Sequence, residues 1–319
     1  MKRILSHYRF GKPFAWINRN CRSRRQSIKK VIELYQSTEL EENGCMLCKE
    51  KTFSLIAEGD RYGFPLKKQL CNTCGLIQTY PRLSKDFHTE FYTHHYRPLY
   101  LKSTKVDYNN LMNEQKNKGL LYLRIFQENG INKEQLKKLS IIEIGCSSGG
   151  TINTIRPSVK NVQGCDLDIH AIEYAKNELQ LNVEVGTLPT IVPEGKKLFI
   201  ISHVLEHVYD PIGTLQKIRK MMCEGDYLFI AVPGINGVAE GDYKNDLRRY
   251  FHIAHVTDFT AHTLEAAATK TGFKTVFIDE AIHALLTASQ QDILEKKPLD
   301  PAKNLRRIEK TYSGIFPHL

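Results

Sequence analysis

The chain has 319 residues, 41% of them hydrophobic, so it can bury a full core and has room for one large domain plus a smaller module. Its 45 Lys and Arg outnumber its 35 Asp and Glu, but ten basic residues from Lys2 to Lys30 precede the first acid, Glu33, so the excess belongs to an N-terminal arm. No apolar run reaches the 18 or so residues of a membrane-spanning helix, and the basic start lacks the continuous hydrophobic region of a signal peptide, which leads us to expect a cytoplasmic protein.

Residues 1–35 read as the arm and a helix. Ile4, Leu5, Tyr8, Phe10, Phe14 and Trp16 stand among the basic residues, and in "RRQSIKKVIELYQ" Ile28, Val31, Ile32 and Tyr35 share one helical face beside Lys29 and Lys30. For residues 26–36 this pattern suits a helix packed on the next module with a solvated basic side. For residues 1–25 it suits peripheral contact with an anionic membrane surface, or with the phosphates of a nucleic acid.

Residues 36–95 read as a zinc ribbon. Four of the eight cysteines are scattered at 21, 146, 165 and 223, while the other four form "CMLC" and "CNTC", giving Cys45, Cys48, Cys71 and Cys74 with a hairpin between the pairs. Each C-x-x-C turn aims two thiolates at one centre, and four sulfurs close a tetrahedral structural zinc site with no room for substrate. Gly75 permits the tight backbone after the second knuckle. The aromatic stretch "FYTHHYRPLY" at 91–100 reads either as packing between modules or as a lid, with ring faces for a sugar and Arg97 for a phosphate.

A helical connector spans 96–137. From 138 to 292 short apolar runs alternate with helical patterns: "LSIIEIGCSSGG", "VQGCDLD", the helix "DIHAIEYAKNELQ" with Ile169, Ile172, Ala175 and Leu179 on its apolar face, then "VEV", "KLFIIS", the helix "DPIGTLQKIRK" and "GDYLFIAVPG". Strand–helix alternation of this kind predicts a doubly wound, mostly parallel α/β sheet, with "FKTVFIDE" and "AIHALLTASQQ" as a closing hairpin. Residues 293–319 form a tail without a pattern.

Ligands of such sheets bind beyond the carboxyl ends of the strands, which places the chemistry at Gly145 to Gly149, Asp166, Thr187 and Ser202 to His207. The turn reads G-C-S-S-G-G and departs from the dinucleotide pattern G-x-G-x-x-G, while Asp166 after Glu143 has the spacing of an acid that holds a ribose diol. The stretch "ISHVLEHVYDP" contains His203-x-x-Glu206-His207, which spells a zinc-protease motif. Asp210 and Pro211 are a helix N-cap and first turn, so both histidines should precede the helix on a loop at the ligand rim, and no downstream helix advertises a third ligand.

Taken together, these motifs resemble class I S-adenosylmethionine-dependent methyltransferases, in particular a bacterial subgroup with an H-V-L-E-H signature and an N-terminal zinc ribbon. The resemblance spans roughly residues 40 to 290. It implies a seven-stranded Rossmann-like sheet, with "EIGCSSGG" around the methionine part of S-adenosylmethionine, Asp166 on the ribose hydroxyls, and Glu143 ordering the loop and the cofactor ammonium. Gly145, Cys146, Ser147, Gly149, Leu167, Thr187, Leu188, Ser202 and His203 complete the implied cofactor contacts. Ser147 replaces the middle glycine common in the family, and Thr187 stands where many members carry an adenine-contacting acid.

Methyl transfer needs in-line positioning, and a hydroxyl acceptor also needs a base; His207 and His255 in "RRYFHIAHVTDFT" are the candidates. The subgroup's members act on sugars of bacterial surface polysaccharides. The implied reaction is O-methylation of a sugar hydroxyl in a glycan or its activated precursor. Two alternatives stay open: C-methylation of a nucleotide-linked keto-sugar, and RNA methylation using the ribbon and the basic arm. A cofactor-binding scaffold without activity fits poorly with Glu143, Asp166 and the acceptor-side histidines.

Overall fold

The computed structural model describes residues 22–62, 64–100, 108–240, 242–245 and 247–289. The aromatic and basic run up to Cys21 and the tail from residue 290 lie outside the described residues, and with them most of residues 1–25, for which a surface contact is expected.

Helix α1 (Arg22–Ser37) buries Ile28 and Val31, with Ile32 and Tyr35 packed beside them against Tyr62, Phe64 and Phe91. Its apolar face is thus used up inside the protein, while Lys29 and Lys30 remain exposed. The ribbon follows: β1 (Leu40–Glu41) pairs with β5 (Arg82–Leu83), and β2 (Phe53–Glu58), β3 (Lys67–Cys71) and β4 (Ile77–Thr79) form an antiparallel meander. A fourth strand joins this sheet from far along the chain, β11 (Thr257–Asp258), which pairs with β4. Helix α2 (Lys85–Glu90) runs through one wide helical turn, Phe91–His95, into α3 (Tyr96–Tyr100).

The long helix α4 (Tyr108–Glu128) leads to the main sheet, composed of β6 (Ser140–Ile144), β7 (Asn161–Asp166), β8 (Asn182–Val185), β9 (Lys197–Ser202), β10 (Tyr227–Ala231), β12 (Phe273–Ile278) and β13 (His283–Ala288). Its order is β12-β13-β10-β9-β6-β7-β8, parallel from β10 to β8, with β13 antiparallel to both neighbours. The seven-stranded sheet and its closing hairpin therefore match the sequence expectation. The central strands read as unbroken apolar runs because both faces are covered. Helix α5 (Gly150–Ile155), α6 (Ile169–Asn177) and α4 pack Ile152, Ile172 and Phe126 onto Ile141, Leu198 and Phe229. On the other face α7 (Pro211–Lys220) and α8 (Ala261–Lys270) pack Leu215, Ile218 and Leu264 onto Ile142, Phe199 and Ile230.

One helical expectation holds and one is refined. Asp210 caps α7 as expected, its side chain accepting from the Gly213 amide. Of the face expected in α6, however, only Ile172 and Ala175 are buried, with Ala171 beside them; the helix stops at Asn177, before Leu179, and Ile169 is 56% exposed because its first turn stands at the open edge beyond the strands.

Candidate active site

The strand order reverses between β6 and β9, which run parallel, since β6 continues to β7 and β8 on one side while β9 continues to β10 on the other. The two strands lie in register, Ile144 beside Ile201, so the turn after β6 and the loop after β9 leave the sheet side by side at the topological switch point. The turn is built around Gly145, at φ 76, where an added Cβ would run into the Val204 side chain. Ser147 (φ 48) and Gly149 (φ 78) also take left-handed backbone, and Gly149 caps α5. The Ser147 amide donates to Asp166 Oδ2 at 2.8 Å and the Asp168 amide to Oδ1 at 2.9 Å, so the acid at the end of β7 ties the turn to its own strand end. Cys146 is buried inside the packing and Ser147 is partly open.

Glu143 is 2% exposed, and among the described residues its Oε2 has no hydrogen-bond partner. Burial pushes its carboxyl up to about 8, with Lys118 opposing and Asp166 reinforcing the shift. Helix α4, read from sequence only as a connector, contributes to this pole. Gln115 Oε1 accepts from Ser148 Oγ and the Gly150 amide, Lys118 is the cation facing Glu143, and Tyr122 shares a 2.7 Å hydrogen bond with Ser202. A signal existed in Gly119: a Cβ there would meet Thr151 O and Thr154, which marks a close helix crossing. Leu167, Ile169 and Val185 are each more than half exposed, forming an apolar rim past Asp166; Thr187 is exposed and Leu188 leans on the core.

The loop after β9 carries the second pole. His203, at φ 53 and 43% exposed, stands at its mouth, and Glu206 and His207 lie in the turn that precedes α7. The Glu206 backbone carbonyl accepts from the Val256 amide at 2.8 Å, which brings His255 alongside. Glu206 Oε1 is 3.6 Å from His203 Nδ1, 3.6 Å from His207 Nε2 and 4.0 Å from His255 Nε2. Thus the two histidines expected as bases sit together, with rings 4.9 Å apart, around a carboxylate that sequence reasoning had left without a role. His207 Nδ1 is 3.0 Å from Ala254 O; a carbonyl only accepts, so Nδ1 carries the ring proton and Nε2 keeps its lone pair. Burial drives His207 down to about 4 and also lowers His252 and His255, which keeps these rings neutral at neutral pH.

The stretch at 91–100 forms a wall over this pole. Phe91 and Leu99 are buried; Tyr92 Oη donates to Ala254 O and contacts His207 Nδ1, Tyr100 bonds His252, and Tyr96 packs between the two tyrosines. The segment thus packs between the modules, as one of the two sequence readings has it, and Arg97 is engaged by Asp168.

In the ribbon, Cys45 Sγ lies 3.4 Å from Cys74 Sγ and Cys48 Sγ 3.4 Å from Cys71 Sγ, and all four sulfurs fall within 4.8 Å of one another. Four thiols converging so closely, three of them buried, fit a tetrahedral zinc with sulfurs about 2.3 Å from the ion. The ribbon also clamps the second pole. Lys68 Nζ, fully buried, donates to His255 O and Asp258 Oδ2 at 2.6 Å each; Thr79 Oγ1 donates to His255 O; Asp60 Oδ2 accepts from the Ile253 amide.

A family model described as a methyltransferase domain matches residues 111–277, a span that contains both poles. The chain belongs to this family. No curated protein matches this methyltransferase. Among solved structures it is similar to the amino pentose methyltransferase CalS10 of Micromonospora echinaspora, at 9% identity and a TM-score of 0.42 over 59% of this chain and 99% of that one. It is also similar to an S-adenosylmethionine-dependent methyltransferase from Clostridium acetobutylicum, at 12% identity and 0.41 over 63% and 99%. The plantazolicin methyltransferase BpumL shares 16% identity at 0.41 over 59% and 92%.

Proposed function

We propose that this methyltransferase moves the methyl group of S-adenosylmethionine to a hydroxyl of a sugar, in a surface glycan or its activated precursor. The observation that supports it most is the pairing, at one switch point, of an acid-lined glycine turn with a buried carboxylate–histidine cluster under a tyrosine wall. The residues of the first pole fit the cofactor. Glu143 offers a buried carboxylate oxygen without a partner to its ammonium, Asp166 has lone pairs beyond those held by the two amides, and Leu167, Ile169 and Val185 offer an apolar rim to adenine.

When bound, S-adenosylmethionine supplies an electrophilic methyl group, so the protein needs only to position the acceptor and take up positive charge as its hydroxyl ionises. His207 Nε2 and His255 Nε2 face Glu206, an arrangement that favours positive charge between them, and Ala254 O with Tyr92 fixes the ring of His207. Among the described residues, three cations near this pole are engaged: Lys68 by Asp258, Arg97 by Asp168, and Arg61 against Tyr62 and Tyr100. Among the described residues, the aromatic rings and hydrogen-bonding groups of this pole suit the faces and hydroxyls of a sugar.

The test is transfer of labelled methyl from the cofactor into separated glycan, nucleotide-sugar and RNA pools. Label in a sugar pool, on oxygen and not on carbon, is expected; label confined to RNA would overturn the proposal.

A further inference from the structure

Glu206 is 2% exposed, and among the described residues neither of its side-chain oxygens has a hydrogen-bond partner. A buried carboxylate left so costs several kcal/mol unless a cation faces it. Its neighbours are not placed to bond it directly, because separations of 3.6 and 4.0 Å from His207 Nε2 and His255 Nε2 exceed the roughly 3.2 Å limit of a hydrogen bond. With Nδ1 of His207 committed to Ala254 O, a lone pair on Nε2 meets a carboxylate oxygen across an empty gap. A cation heavier than a proton resolves this conflict.

The geometry points to a second metal site: Glu206, His207 and His255 hold one divalent transition-metal ion of the zinc class, separate from the cysteine centre of the ribbon. One carboxylate oxygen and two imidazole nitrogens, all within 4.8 Å of one another, form the N/O donor set that zinc, cobalt and similar ions take. Ligand atoms in a tetrahedral site of this kind stand about 3.3 Å apart, so the three close in by less than about 1 Å on the ion. One of the two histidines has the outer hydrogen bond that fixes a metal-binding ring, and the other has a carboxylate nearby. His207 Nδ1 donates to Ala254 O, and His255 Nδ1 stands 3.5 Å from Asp258 Oδ1, whose other oxygen is neutralised by Lys68. The third ligand that the His203-x-x-Glu206-His207 motif lacked in sequence is His255, delivered by a loop and not by a helix. Three protein ligands leave a position open beside exposed His203, where an oxygen of the acceptor would bind; this role rests on the proposed methylation, the metal site does not.

Titration of the metal-free full chain with cobalt(II), followed by absorption spectroscopy and by metal analysis, tests the site without any acceptor. We expect one equivalent with the thiolate charge-transfer band of the ribbon, and a second with only the weak bands of a nitrogen and oxygen site. Glu206→Gln and His255→Gln should each lose the second equivalent and keep the first, while Cys71→Ser should lose the first. A wild-type chain that binds a single equivalent overturns the site, and this result needs no variant to fold. Equally, a second equivalent that persists in both Glu206→Gln and His255→Gln would place the ion elsewhere. Failure of methyl transfer to sugars would leave the metal count unchanged, so the two proposals fail separately.

Discussion

In Asp166 one carboxylate does two jobs, since its oxygens hold the amides of Ser147 and Asp168 and retain lone pairs for a ligand. Asp166→Ala should therefore weaken S-adenosylmethionine binding by about 1–3 kcal/mol, measured by calorimetric titration, because it removes a charged acceptor and frees the turn. Unchanged affinity would remove Asp166 from the site. For Glu143 the prediction concerns pH. Burial raises its folded pKa to about 8, above the model-peptide value of 4.5, so the folded chain binds the proton more tightly than the unfolded one. The stability tied to this proton is fully present below about pH 4.5 and is lost as pH rises through 8. Glu143→Gln, always neutral, should gain thermal stability relative to the wild type progressively between those pH values and level off above them. A melting-temperature difference that stays flat from pH 4.5 to 8.5 would refute the shift. Both acids were legible in the sequence because each ends or lines a strand at a recognisable spacing. Glu206 was not: its burial depends on His255, which arrives from 49 residues downstream by sequence number.

Among the elements, strand β11 shows why the ribbon matters to the reaction. Its Thr257 and Asp258 complete the ribbon sheet, and the residues just before it carry His252 and His255 into the site. The buried pair Lys68–Asp258 locks this junction. Removing one partner leaves the other charge uncompensated in the interior, so Lys68→Met should cost about 3–5 kcal/mol in denaturant unfolding, whereas Lys68→Met with Asp258→Leu should recover most of the loss. If the single variant unfolds like the wild type, the pair does not lock the junction. The strands of the main sheet could be read from sequence because apolar runs and turn residues are local signals. The two-residue strand β11 has no such signal, and its partner Gln78 lies in another module. Helix α4 was legible as a helix but not as part of the site, since Gln115, Lys118 and Tyr122 look like ordinary surface and core positions until α5 and the glycine turn are packed beneath them.

For the molecule as a whole, the decisive fact is that ribbon and sheet share one apolar cluster. Cys45, Met46, Leu47, Cys71, Cys74 and Leu76 pack with Phe199, Ile201, Leu228 and Leu264, and Lys270 on α8 donates to Leu47 O. The ribbon's Lys68 and the site's His255 are joined across 187 residues of chain. Spacing alone suggested a ribbon that precedes the sheet as a small module; contacts of such long range have no local trace in a sequence. A knuckle that is part of the common core cannot loosen alone. Its burial of apolar side chains, worth about 25 cal/mol per Å², stabilises the sheet as much as itself. If the four cysteines hold zinc, stripping it with a chelator, or replacing Cys71 with Ser, should therefore lower the melting temperature of the entire chain by at least about 5 °C while preserving a single calorimetric transition. The glycine turn and the rest of the first pole should melt in that same transition. Two resolved transitions, with the upper one unmoved by metal removal, would show that the ribbon unfolds by itself and that the shared cluster does not couple it to the catalytic sheet.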